Sequence, residues 1–64
     1  MKYPNIKVKL SGTDGNAFAI MGKVIRAMRE NNVQPEEIKE FQKEVKSGDY
    51  EHLLITCMDY VDVS

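Results

Sequence analysis

The chain has one cysteine, Cys57, one histidine, His52, two prolines and no tryptophan among its 64 residues. A lone cysteine excludes an internal disulfide framework, the usual staple of small secreted domains, so a reducing cytoplasm is the expected compartment. It also excludes a zinc site built on thiolates. No apolar run comes near the ~18–20 residues that a membrane span needs. Met1-Lys2-Tyr3-Pro4-Asn5 does not lead into an unbroken apolar stretch, so no secretory leader is expected. Repeats, linkers and low-complexity tracts are missing as well.

What is present is ordinary globular material. Hydrophobic residues make up 42% and charged residues 30%, which places the chain outside both the disordered and the membrane classes. Its length suits a single domain, residues 1–64, that buries only roughly 60% of the surface its unfolded chain exposes. Net charge is −1, yet the charges are segregated. Residues 1–32 carry six bases (Lys2, Lys7, Lys9, Lys23, Arg26, Arg29) and two acids (Asp14, Glu30), a balance of +4. Residues 33–64 carry three bases (Lys39, Lys43, Lys46) and eight acids (Glu36, Glu37, Glu40, Glu44, Asp49, Glu51, Asp59, Asp62), a balance of −5. Either the two halves attract each other in the fold, or a basic face is left open to an acidic partner.

Ile6-Lys7-Val8-Lys9-Leu10 alternates apolar and basic residues, which predicts a strand with its lysines in solvent. Ser11 to Asn16 reads as a turn, with Asp14 or Asn16 able to cap the helix that follows. That helix, about Ala17 to Asn31, carries the strongest periodic signal. Ala17, Phe18, Ile20, Met21, Val24, Ile25, Ala27 and Met28 fill one half of its wheel, and Lys23, Arg26, Arg29 and Glu30 the other. Asn31-Asn32 predicts a left-handed stop. Pro35, Glu36 and Glu37 suit the start of a second helix with a narrow stripe of Ile38, Phe41 and Val45, closed by a left-handed Gly48. Asp49 can cap a third helix, about Tyr50 to Tyr60, with Tyr50, Leu53, Leu54, Cys57, Met58 and Val61 on its inner face and Ile55 outside it. Val61-Asp62-Val63 has strand propensity. The expectation is an α+β fold in the order β-α-α-α-β, three helices packed on a small sheet of strands 6–10 and 61–63. The strands can pair within one chain or with a second copy.

Candidate chemistry is sparse. Leu10 to Phe18 runs from a strand through glycines into a helix, but the Gly-Lys-Ser/Thr of a phosphate-binding loop and the three spaced glycines of a dinucleotide site are absent. Asp14 and Asn16 lack the later acidic ligands of a calcium loop. His52 and Cys57 lie five residues apart, about 140° around a helix, which keeps them from forming a nucleophile–base pair. The expectation is therefore no catalytic residue, no cofactor, no metal and no enzymatic activity, with Cys57 a small core residue and His52 solvated. The polar side of the first helix is more informative. Gly22 in a helix interior costs about 1 kcal/mol against alanine, a cost that makes sense where another chain passes close by. Ala19, Gly22, Lys23, Arg26 and Arg29 are the candidate interaction face. Three readings compete for it: a plain solvated face, a surface packed against a second protein or the acidic second helix, and a surface laid along nucleic acid. Where it has a partner, that partner is expected to be a protein, with a homodimer or a nucleic acid as the other readings. The nucleic-acid reading is handicapped by the acidic balance and by the lack of aromatics among the bases. Ile55 would mark a dimer seam if it clusters with Met1 or Tyr3.

The run Gly12-Thr13-Asp14-Gly15-Asn16-Ala17-Phe18-Ala19-Ile20, then Gly22, then Ser47-Gly48-Asp49-Tyr50 with His52-Leu53-Leu54, and Val61-Asp62-Val63 at the end, resembles a family of small uncharacterised proteins from bacteria and their phages. The resemblance covers nearly the whole chain and brings no activity or site residue with it. It implies a self-sufficient domain in a prokaryotic cytoplasm, with an accessory role in a phage or mobile element as one setting.

Overall fold

Alternation of apolar and polar residues near the N-terminus gives β1, Tyr3–Val8, with Ile6 and Val8 buried and Lys7 exposed. The computed structural model describes residues 1–12 and 15–64. After β1 come α1 (Ala17–Glu30), α2 (Pro35–Val45), α3 (Tyr50–Tyr60) and β2 (Val61–Val63). The order β-α-α-α-β and the mixed α+β class are those expected from the sequence. β1 and β2 pair with each other, in parallel, within one chain. A parallel pair needs a long crossover, and here the three helices supply it. β1 begins three residues earlier than the expected Ile6 and includes Pro4. The register shows how proline is tolerated. Tyr3 lies opposite Val61 and Lys7 opposite Asp62, so β1 advances four residues while β2 advances one. Pro4 falls inside that irregular step, where no ladder bond is asked of its missing N–H. Beyond Val8, Leu10 N–H still donates to the Ser64 carbonyl at 2.9 Å.

Each helix starts at chemistry legible in the sequence, and α1 also ends at it. At the head of α1 the Asn16 side chain accepts from the Phe18 N–H at 2.7 Å. Asp14, the other expected cap, lies outside the described residues. The end of α1 is a two-bond lock. Asn32 N–H donates to the Arg29 carbonyl at 3.1 Å and Val33 N–H to the Met28 carbonyl at 3.0 Å, with Asn32 at φ 61°. This is the Schellman arrangement, with Asn32 in the left-handed position usually held by glycine. Pro35 opens α2 with Glu36 and Glu37 in its first turn, where the helix dipole favours anions. Asp49 caps α3 by accepting from the His52 N–H at 2.9 Å. Gly48 does not take the expected left-handed conformation: among the described residues only Asn32 and Gly12, at φ 80°, have positive φ.

The core lies between the sheet and the helices. Phe41, Met28, Val24, Val45, Val61 and Cys57 are fully buried in it. The Phe41 ring meets Tyr60 edge-on at 5.1 Å, a favoured aromatic geometry. Three residues expected inside are outside: Phe18 is 75% exposed, Met58 52% and Tyr50 46%. Phe18 sits on the flank of the α1 arc and in its first turn, beside an open groove it shares with Met21 and Tyr50. On α3 the buried residues are Leu53, Thr56 and Cys57, so the arc that packs is rotated away from Tyr50 and Met58. Thr56 takes their place, 4% exposed, because its hydroxyl donates to the His52 carbonyl at 2.8 Å and so needs no water. Ile55 is exposed, as its position on the wheel predicts. No helix among the described residues is long and apolar enough to cross a membrane.

Candidate interaction face

Two elements bring the bases of the N-terminal half together. Along β1 the alternation that buries Ile6 and Val8 leaves Lys7 in solvent, with exposed Lys9 just past its end. Along α1, Lys23 and Arg26 are exposed on the side opposite Val24 and Met28. The open groove between these elements has a volume of about 290 Å³ and is lined by Lys7, Val8, Lys9, Lys23, Arg26, Ala27 and Glu30. Among the described residues that line it, four cations and one carboxylate give a balance of +3. Glu30 lies 3.6 Å from Arg26 in an exposed i,i+4 pair, which is worth little energetically and leaves the guanidinium available. Lys7 and Lys9 make no ion pair among the described residues.

The structure divides the face expected on the first helix. Lys23 and Arg26 line this groove, whereas Arg29 lines another with Asn32, Val33 and Ile38 at the junction of α1 and α2. Ala19 is half-buried. Gly22 is exposed, and a Cβ built on it would meet nothing within 4 Å. No neighbour among the described residues therefore requires a glycine there. Lys7 and Lys9 were absent from the expected face because a helical wheel cannot tell which strand edge lies beside it.

Backbone direction adds a second property. Val8 accepts from the Ser64 N–H at 2.9 Å and Leu10 donates to the Ser64 carbonyl at 2.9 Å. Neighbouring residues of a strand direct their N–H and C=O to opposite edges, so Lys7 and Lys9 turn theirs away from β2. Among the described residues the sheet has two strands, and no strand covers that outer edge of β1.

No family model, curated protein or solved structure matches the chain.

Part of the charge asymmetry is consumed inside the fold. Lys2 Nζ lies 2.8 Å from Glu37 Oε2, and the Tyr3 hydroxyl donates to the same oxygen at 3.2 Å. The hydrogen bond from Lys2, then that from Tyr3, hold the Glu37 carboxyl below its ordinary range, and Glu37 raises Lys2 in return. Burial, and then the bond to Glu37, push the Tyr3 hydroxyl up. This cluster ties β1 to α2, and Lys2 is not among the bases that line the groove.

His52 is not simply solvated. Its Nε2 lies 3.0 Å from the Glu44 carbonyl, 3.1 Å from Ser47 Oγ, 3.4 Å from Thr56 Oγ1 and 3.8 Å from Glu44 Oε1. Hydroxyl and carboxylate thus share one ring nitrogen. A nucleophile–base–acid relay needs them on opposite nitrogens, so this group closes the end of α2 rather than activating Ser47. Cys57 is packed in the core apart from this cluster, and burial pushes its thiol up to about 11, which keeps it protonated and unreactive at neutral pH. Among the described residues no three His, Cys, Asp or Glu side chains gather as a metal would require.

Proposed function

We propose that the domain is a non-catalytic protein-interaction module that docks an acidic partner in the groove between β1 and α1. The observation that carries this reading is the convergence of Lys7, Lys9, Lys23 and Arg26 from two elements on one groove. The free space over Gly22 supports it, since it leaves the approach to that side of α1 low. A cytoplasmic setting, prokaryotic or phage, fits a domain whose one thiol is stored in the core. Self-association would use the exposed Ile55 and Met58 of α3, and the mass in solution reads it directly.

The four-cation groove also favours a second reading, a nucleic-acid accessory protein, because phosphate contacts need clustered bases. No aromatic side chain lines the groove to stack a base, which ranks this reading below an acidic protein. Fluorescence anisotropy separates the two. A labelled glutamate-rich peptide and a mixed-sequence single-stranded DNA are titrated at about 0.05 M salt and again at about 0.5 M, where exposed charges are screened. The peptide is expected to bind at low salt and to be released at high salt, and the double variant K23E/R26E to lose it while keeping the wild-type unfolding transition. Equal peptide binding by wild type and variant overturns the reading, and binding of DNA alone transfers it to the nucleic-acid class.

A further inference from the structure

We propose that the outer edge of β1 accepts an extended acidic segment of a partner protein as a third strand of the sheet. The inference rests on the reading of the domain as an acidic-partner module and specifies how the partner is held. β1 has a used edge and an open one. Val8 and Leu10 spend their backbone groups on Ser64, and Lys7 and Lys9 direct theirs outward. An extended chain laid there gains main-chain hydrogen bonds that require no particular sequence, and alternate side chains then set specificity. The groove that receives it has bases on both walls, Lys7 and Lys9 on the strand and Lys23 and Arg26 on the helix. A segment with acids at every second position would set them against these bases.

Charge also chooses among occupants. A second copy of β1 would bring Lys7 and Lys9 against lysines, and like charges directly opposite destabilise a strand pair. Lysines on an edge strand are a known guard against such self-pairing. The same two side chains attract an acidic strand, so one feature rejects the copy and selects the partner. Nucleic acid would satisfy the charges but could not continue the ladder.

The test is an NMR titration of the 15N-labelled chain with an alternating Glu–Val decapeptide. Two companion peptides are methylated on nitrogen at all valine or at all glutamate amides. Glutamates facing the lysines fix which set of amides faces β1. One methylated peptide is therefore expected to bind like the parent and the other about tenfold more weakly, the equivalent of one or two lost hydrogen bonds. The amides of Lys7 and Lys9 should shift and gain protection from hydrogen exchange. If both methylated peptides bind like the parent, strand addition is overturned while the acidic-partner reading survives. If no peptide binds and single-stranded DNA does, the acidic-partner reading falls and the inference with it. If the protein alone doubles in mass with the Lys7 and Lys9 amides already protected, a second copy holds the edge and the inference is wrong.

Discussion

Gly22 and Gly48 do opposite things for opposite physical reasons. Gly22, inside α1, has open space where a side chain would be, so nothing among the described residues offsets its poor helix propensity. Gly48, between α2 and α3, has none: a Cβ there would stand 2.7 Å from His52 Cγ and 2.8 Å from His52 Cβ. That crowding, not a left-handed backbone, explains glycine at this position. The nearest obstacle includes the root of the His52 side chain, which cannot rotate away, so the α2–α3 turn itself would have to move. Gly22→Ala is expected to stabilise by about 1 kcal/mol. Gly48→Ala is expected to cost about 1–3 kcal/mol, the range for overpacking. In a domain of this size each kcal/mol moves Tm by roughly 4–8 °C, so thermal unfolding followed by circular dichroism resolves the two signs. A lower Tm for Gly22→Ala would mean that the chain itself needs the space over α1, and the docking reading would lose its supporting observation.

At the scale of elements, boundaries were more legible than faces. Asn16, Pro35 and Asp49 mark the starts of the helices because a cap or a fixed φ acts locally, within three residues of its own position. The buried arc of α3 was not legible. An apolarity count favours Tyr50 and Met58 over Thr56, and only the packed neighbours reveal that a threonine bonded to its own helix can be the inner residue. The same distinction explains why Lys23 and Arg26 were visible as a basic side of α1, while their convergence with Lys7 and Lys9 was not. The first follows from helical spacing, the second from where a strand edge comes to rest. The stop of α1 is the most direct check on the local kind of information. Asn32 holds φ 61°, a conformation that costs most L-residues about 1–2 kcal/mol and glycine almost nothing. Asn32→Gly should therefore leave Tm unchanged or slightly raised, and Asn32→Val should lower it by several degrees. Equal Tm values for the two variants would show that the Met28 and Arg29 carbonyls do not depend on this backbone position.

For the molecule as a whole, the decisive contact is between its first and last elements, and it was the least legible of all. Tyr3 to Val8 and Val61 to Val63 each look like weak, isolated strands, and no local rule says that they meet or in which direction. They meet because the helices need a lid: Ile6, Val8 and Val61 are all buried against the layer that holds Phe41 and Met28. A short strand then carries weight out of proportion to its length. A stability of about 0.05–0.15 kcal/mol per residue would give this chain roughly 3–10 kcal/mol in total. Burying one valine is worth about 1.5–3 kcal/mol, and β2 supplies fully buried Val61 and half-buried Val63. Its loss also takes both Ser64 backbone bonds and opens the inner edge of β1, so that neither edge of β1 is paired with a strand among the described residues. A chain ending at Tyr60 is therefore expected to lose the cooperative thermal transition of the 64-residue chain and to associate as concentration rises. Should it unfold with an unchanged transition, the three helices hold together without the sheet, and β1 would be free to find its strand partner elsewhere.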